Sequence, residues 1–294
     1  MDLQGYIQIQ HMARKKSRPT GPSFARCIDA KVRRQEYAAT FLGVLPFSHL
    51  ARRRGAAGEF IRTLGYHTPE VFEEGFQLRY FPRLLRERDS IVIKPVHATN
   101  AWGVATLVRV DERRWRDVST GEVLDYGEWL EALNSPMQKY GFPDKWQLEE
   151  LLLPPGGGRE PLIDYKFYAF RGEVGLVLQA SGRGEQRRYK WCDAGWATVE
   201  TGKYESRIDP TMPGPEDPGA LMKAARAISA RIPIPFCRID MYETSSGLYV
   251  GELTPEPGGY HEFRPSVDEM FGVMYEQAEA RIAIEKPQAP AVAL

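Results

Sequence analysis

Two carboxylates set in otherwise apolar runs raise the first chemical question. Asp240 lies in "CRIDMYE" and Glu252 in "LYVGELTPE", and the turn "TSSG" joins the two runs into a β-hairpin. A buried carboxylate without a partner is costly, so positive charge has to sit against each one. A basic neighbour such as Arg238 is the ordinary answer for a lone Asp in a strand. Two carboxylates facing each other across adjacent strands repel unless a divalent ion joins them, and hard oxygen donors of this kind suit Mg²⁺ holding a triphosphate. The pair therefore points to a metal–nucleotide site. Such a site needs cations on its other side, and Lys94 at the end of "IVIKP" and Lys166 in "DYKFYAF" are placed to supply them. Lys166 shares a sheet face with Asp164 and Tyr168; the alternative for it is a lysine snorkelling at a sheet edge. A nucleobase needs a strand with open backbone groups, and in "LEELLLPP" Pro154 and Pro155 stop the ladder just after Leu153, with Glu149 in reach of a ribose hydroxyl.

The elements that must position these groups follow from periodicity. The runs either side of the loop "HATNAWG" read as a hairpin with an enlarged turn, and "DYKFYAFRGEVGLVLQAS" as two long strands turning at Arg171 and Gly172. Trp129, Leu130 and Leu133 fall at helical spacing, and Pro143 ends that element. "PGALMKAARAISARI" predicts an amphipathic helix with Leu221, Ala224, Ala225, Ile228 and Ile232 inward, and Met270 to Ile284 a closing helix with Met270, Phe271, Met274, Ala278 and Ile282 inward. Short helices are expected between Tyr37 and Tyr66. The first thirty-five residues or so read as a basic, solvated arm, and Gly182 to Pro218 as a polar excursion rich in Gly and Pro.

Composition sets the outer limits. The chain has 294 residues, 43% of them hydrophobic, which suffices for a sizeable core. Its 39 basic and 39 acidic side chains cancel, so bulk charge points neither to nucleic acid nor to an anionic membrane. Three widely spaced cysteines, Cys27, Cys192 and Cys237, form no disulfide framework and no CxxC metal motif, which fits a reducing cytoplasm. No run reaches the ~20 apolar residues of a membrane span, and the first residues lack the apolar stretch of a signal peptide.

Taken in order, "IVIKP", "LEELLL", "DYKFYAFRGE", "CRIDMYE" and "GELTPEPGG" resemble the ATP-grasp superfamily, and within it the TupA-like family named for teichuronopeptide biosynthesis. The resemblance runs from roughly Ala51 to Gly272. It implies an α/β architecture in which two α+β lobes with mostly antiparallel sheets close on ATP, next to a small N-terminal helical region. The expected division is a basic arm over 1–36, an N-terminal region over 37–88, a small lobe or lid over 89–152, a large lobe with the metal site over 153–284, and a frayed tail over 285–294. On the matching motifs, Lys94 and Lys166 would bind the α and β phosphates, and the backbone at Glu150 and Leu152 would read the adenine edge. Glu149 would hold the ribose, and Asp240 and Glu252 would bind two Mg²⁺ ions. Arg183, Arg187 and Arg188, in "SGRGEQRRYK", would face the γ phosphate or an acyl phosphate; a solvated basic turn is the competing reading. Thr254 stands where many ATP-grasp enzymes carry a ligating asparagine. His97 reads equally as a phosphate contact, a general base or a hydrogen-bonded loop histidine. The family tends to follow that histidine with a small glycine-rich turn, whereas this chain offers Thr99, Asn100 and the bulky Trp102, so side chains or amides of Thr99 and Asn100 would cover ATP instead.

The implied chemistry has two steps. A carboxylate attacks the γ phosphorus to form an acyl phosphate, and an amine displaces the phosphate to leave an amide. Positioning and charge neutralisation dominate the first step, and an arginine fork can grip phosphate or carboxylate with two bonds. In "GELTPEPGGYHEFRPS", Glu256 would bind the amine and Arg264 a carboxylate, with Thr254 and Tyr260 nearby; "PGG" is also readable as a plain turn. The leading expectation is an ATP-dependent carboxylate–amine ligase acting on small molecules in cell-surface polymer or specialised-metabolite synthesis, with a homodimer allowed. A small-molecule kinase and a non-catalytic nucleotide-binding subunit are the competing classes.

Overall fold

In a computed structural model of the chain, the described residues are 21–43, 46–52, 54–85, 88–96, 103–157, 162–182 and 184–285. The chain forms two antiparallel sheets and the helices that cover them. Strands β1 (Val71–Phe76), β2 (Ser90–Pro95), β3 (Ala105–Arg109), β4 (Arg114–Asp117), β5 (Val123–Asp125) and β6 (Trp146–Glu149) form the first sheet, in the order β1-β6-β2-β3-β4-β5. Its register follows from the period-2 burial of β2: Ile91 and Ile93 point into a core with Leu107, Trp115, Trp146 and Leu148, against Trp129 and Leu133 of the helix Tyr126–Tyr140. Lys94 then leaves the strand on the face opposite Ile93.

The second sheet comprises β7 (Asp164–Phe170), β8 (Glu173–Ser181), β9 (Arg188–Asp193), β10 (Cys237–Thr244) and β11 (Gly247–Thr254), ordered β11-β10-β7-β8-β9. One face packs Phe167, Val177, Ile239 and Met241 against Leu221, Ala224, Ala225 and Ile228 of the helix Pro218–Arg231, with Ala57 and Ile61 of the helix Arg54–Thr63 joining them. The other face carries Tyr168, Phe170, Leu176 and Trp191 under the helices Phe24–Phe41 and Pro265–Ile284. Arg171 and Gly172 turn β7 into β8 with φ of 47° and 95°, a backbone that glycine adopts without steric cost.

Four sequence expectations need correction. The stretch read as a solvated arm contains an 18-residue helix, Phe24–Phe41, capped by the Ser23 side chain. Phe24 and Ile28 are fully buried, and Phe24 meets the rings of Phe236 at 4.8 Å and Phe271 at 5.3 Å. The helix Pro265–Ile284 comes so close that a Cβ on Gly272 would lie 2.5 Å from the Ser23 nitrogen. The polar excursion contains β9, whose Trp191 and Cys192 are buried, and the first sheet takes in β1, outside 89–152. Met270, expected inward, is 37% exposed, because Val267, Phe271, Tyr275 and Ala278 make the buried stripe of that helix.

Candidate active site between the two sheets

The two sheets meet along a cavity of about 420 Å³. Gln147 and Glu149 of β6 line it from one side, Val250 to Leu253 of β11 from the other, and Gly55, Gly58 and Arg62 of the helix Arg54–Thr63 close it. Backbone bonds fix this juxtaposition: Val250 N–H donates to His67 O at 2.8 Å, Glu150 N–H to Glu70 O at 2.8 Å, and Ser245 N–H to Leu153 O at 3.1 Å.

On the first sheet, Lys94 and Gln147 are register partners on β2 and β6, which brings both beside Glu149. Lys94 Nζ donates to Glu149 Oε1 and Gln147 Nε2 to Glu149 Oε2 at 2.9 Å. All three side chains are buried, and Gln147 Oε1 has no hydrogen-bond partner among the described residues. Glu149, expected at a ribose hydroxyl, is thus the counter-ion of Lys94. The N–H of Glu150 is committed to Glu70, while Leu152 makes no backbone hydrogen bond among the described residues.

On the second sheet a denser cluster spans three strands. Asp240 pairs in register with Lys166 on β7 and with Glu252 on β11. Its Oδ2 accepts from Lys166 Nζ at 2.5 Å and from Arg238 Nη2 at 2.7 Å, and its Oδ1 from Arg238 Nε at 2.6 Å. Arg238 Nη2 also donates to Thr254 Oγ1 at 3.1 Å. Lys166 pairs in addition with Asp164, and Arg187 Nη2 lies 3.6 Å from that carboxylate. Burial works against the charge of Asp240, yet Arg238 and Lys166 hold its carboxyl below the usual range. Burial dominates at Asp164 and raises it; its Oδ1 has no hydrogen-bond partner among the described residues. Glu252, by contrast, is exposed and lies at the cavity wall. Lys166 is no edge lysine, since β7 lies between β10 and β8 and the side chain is buried.

Beyond Thr254 the chain makes the bend "PEPGGYHEFR", held from both sides. Lys31 Nζ, from the helix Phe24–Phe41, donates to Pro255 O at 2.9 Å and pairs with Glu256 at 2.7 Å. Tyr260 Oη donates to Asp29 Oδ1 at 2.7 Å. On the other flank Lys203 Nζ donates to Gly258 O, Arg264 N–H to Thr201 O at 2.8 Å, and the Arg264 guanidinium to Glu200 at 2.9 Å. Lys203 is buried beneath the Tyr204 and Phe263 rings, and that burial pushes its ammonium down to about 8.

Of the sequence candidates, the structure groups Lys166, Asp240, Glu252, Thr254 and Arg187 on the second sheet, pairs Lys94 with Glu149 on the first, with Glu150 and Leu152 following that strand, and puts Glu256, Tyr260 and Arg264 on the bend; Glu149 and Glu252 line the cavity. Arg188 is exposed and bonds backbone carbonyls of Glu185 and Arg187. Arg183, His97, Thr99, Asn100 and Trp102 lie outside the described residues. Sequence reasoning passed over Gln147, Lys31 and Lys203, and treated Arg238 only as a neutralising neighbour, although its place two residues before Asp240 puts both on one face.

Two antiparallel sheets, each with a buried lysine–carboxylate pair, that share a cavity lined by Glu149 and Glu252 fit the ATP-grasp fold. The TupA-like ATP-grasp family model matches residues 84–276, and the chain belongs to that family. No curated protein matches it. Among solved structures, D-alanine–D-alanine ligase from Bacillus anthracis is 14% identical with a TM-score of 0.41, over 80% of this chain and 66% of that one. The ATP-grasp ligase PsnB with its minimal precursor is 13% identical, TM-score 0.45, over 86% and 70%. The macrocyclase MdnC with precursor peptide MdnA, from Microcystis aeruginosa MRC, is 11% identical, TM-score 0.45, over 90% and 75%. The chain thus spans about two thirds of the D-alanine–D-alanine ligase.

Proposed function

We propose that the protein is an ATP-dependent carboxylate–amine ligase that makes an amide through an acyl phosphate. The observation that carries this reading is the register alignment of Lys166, Asp240 and Glu252 across β7, β10 and β11, with Glu252 lining the cavity that Glu149 lines from the first sheet, in a chain of the ATP-grasp family.

Lys94 and Lys166 hold phosphate oxygens, and the adenine edge falls to the Glu150 carbonyl and the Leu152 backbone, because the Glu150 N–H is taken. Mg²⁺ fits the donor chemistry of Asp240 and Glu252. No group of three or more His, Cys, Asp or Glu that could hold a metal occurs among the described residues, which suits an ion that takes one or two carboxylates and fills the rest of its shell with phosphate oxygens and water. Bound there, the ion would neutralise charge on the phosphates during transfer. Arg187, reaching toward the Asp164–Lys166 pair, faces the γ phosphate. Arg238 joins it as a fixed guanidinium: burial opposes its charge, but Asp240 more than restores it.

The acceptor side is the bend after Thr254. We assign the incoming carboxylate to Arg264, half-exposed and paired with Glu200, and the amine to the neighbourhood of Tyr260 and Glu256, the latter paired with Lys31. Among the described residues no helix is long and apolar enough to cross a membrane; small-molecule substrates met in the cytoplasm complete the proposal. Incubation with ATP, Mg²⁺ and a panel of amino acids, sugar acids and amines tests it: an amide accompanied by ADP and phosphate is expected, and a stable phosphorylated product without free phosphate would mark a kinase instead.

A further inference from the structure

Asp240 is an unusual metal ligand, because cations already hold both of its oxygens. Arg238 occupies Oδ1 at 2.6 Å and Oδ2 at 2.7 Å, and Lys166 occupies Oδ2 at 2.5 Å, around a carboxylate that is 2% exposed. Two positive charges in contact with so buried a group repel an arriving divalent ion with little solvent screening. Arg238 is tied down further by Thr254, on the neighbouring strand. Lys166 is the member that can move: its stem is flexible, and Asp164, two residues earlier on the same face, remains beside it as a second anion. Glu252, the register partner of Asp240 on β11, is exposed and gives the metal its open approach.

We infer that Lys166 is a counter-ion gate: it and the divalent cation are alternative partners at Asp240 Oδ2, beside the fixed Arg238, and a polyphosphate drawing Lys166 to itself frees that position for the metal. The inference rests on the nucleotide-site reading above. It makes metal and nucleotide binding mutually reinforcing, since whatever draws Lys166 away from Asp240 raises metal affinity, and by linkage the metal favours the state that binds polyphosphate. Removing the lysine charge should then uncover the metal site with no nucleotide present.

The test is Mn²⁺ titration of the full chain, followed by the paramagnetic resonance signal of the free ion, for wild type, Lys166→Met and Lys166→Gln, without nucleotide. Both variants are expected to bind Mn²⁺ at least about tenfold more tightly than wild type, and Lys166→Arg, which keeps the charge, to behave as wild type. Adding Asp240→Asn to Lys166→Met should abolish the gain. Equal Mn²⁺ affinity in wild type and either folded neutral variant overturns the gate, as does tight binding by wild type alone. In parallel, a non-hydrolysable ATP analogue with Mg²⁺ should raise the thermal midpoint of wild type. If it does and the Mn²⁺ affinities are equal, the gate alone falls; if it does not, the nucleotide reading falls and takes the gate with it.

Discussion

Replacing Lys203 by methionine should make the protein more stable, not less, at neutral pH. The side chain is 1% exposed, and its ammonium is pushed from an ordinary 10.5 down to about 8, first by burial and then by Arg238, with Glu262 opposing. That gap, at about 1.4 kcal/mol for each tenfold change, sets a cost of about 3 kcal/mol for keeping the charge in the folded state. Methionine keeps the apolar stem and removes the charge, but forfeits the hydrogen bond to Gly258 O, worth about 1 kcal/mol. The net gain is about 2 kcal/mol, or a rise of about 4–8 °C in thermal midpoint for a domain of this size. The pH dependence gives the sharper signature. The folded chain releases this proton near 8 and the unfolded chain near 10.5, so the unfolded state holds more protons between those values and wild-type stability climbs there relative to the variant. Below 8 the advantage of the variant is complete; above 8 it shrinks. Thermal and urea unfolding of both proteins from pH 6.5 to 9.5, followed by circular dichroism, measures it. A variant less stable at pH 7, or a difference that does not change with pH, would refute the account of Lys203.

Other substitutions divide the site from its scaffold. Glu252→Ala should reduce ATP turnover about 100-fold or more while shifting stability by less than about 0.5 kcal/mol, since the side chain is exposed rather than packed and is a metal ligand in the proposed site; full turnover in this variant would remove Glu252 from that site. Arg187→Ala should cost turnover about 100-fold, whereas Arg188→Ala, whose guanidinium is exposed and bonds the local carbonyls of Glu185 and Arg187, should stay within about twofold, as paired rate measurements would show. Phe24→Ala should destabilise by about 3–5 kcal/mol in urea titration, because Phe24 is fully buried among Phe170, Phe236, Phe263 and Phe271; a loss under about 1 kcal/mol would mean the helix is only loosely attached.

The readable parts of the molecule are those where one local rule governs. The β10–β11 hairpin shows itself because two strand-like runs flank the turn "TSSG", whereas the alignment of Lys166, Asp240 and Glu252 comes from strand register, with an irregularity just after Asp240. The helix Pro218–Arg231 is equally plain from its Leu and Ala spacing. The N-terminal helix escapes such reading although Phe24, Ile28 and Lys31 recur at helical spacing, because the third is a lysine whose burial depends on Pro255 and Glu256, 224 and more residues away. Strand β9 is hidden for a related reason: Arg187, Arg188 and Lys190 mark a solvated turn, while Trp191 and Cys192 carry the burial. Lys203 leaves no local signal, since its burial comes from Phe263 and Gly258 in a distant bend. For Asp240 the sequence allowed either a basic neighbour or a metal; the folded chain supplies Arg238 and Lys166 directly, and only tertiary placement reveals that both act on one carboxylate.

In the proposed reaction a carboxylate of one substrate attacks the γ phosphorus. Once the panel identifies the condensing pair, the most direct measurement is to supply the carboxylate labelled with ¹⁸O on both oxygens and to weigh the phosphate released in stoichiometry with the amide. An acyl phosphate requires one ¹⁸O atom in each phosphate and one left in the amide. Unlabelled phosphate, or AMP and pyrophosphate in place of ADP, would contradict the account.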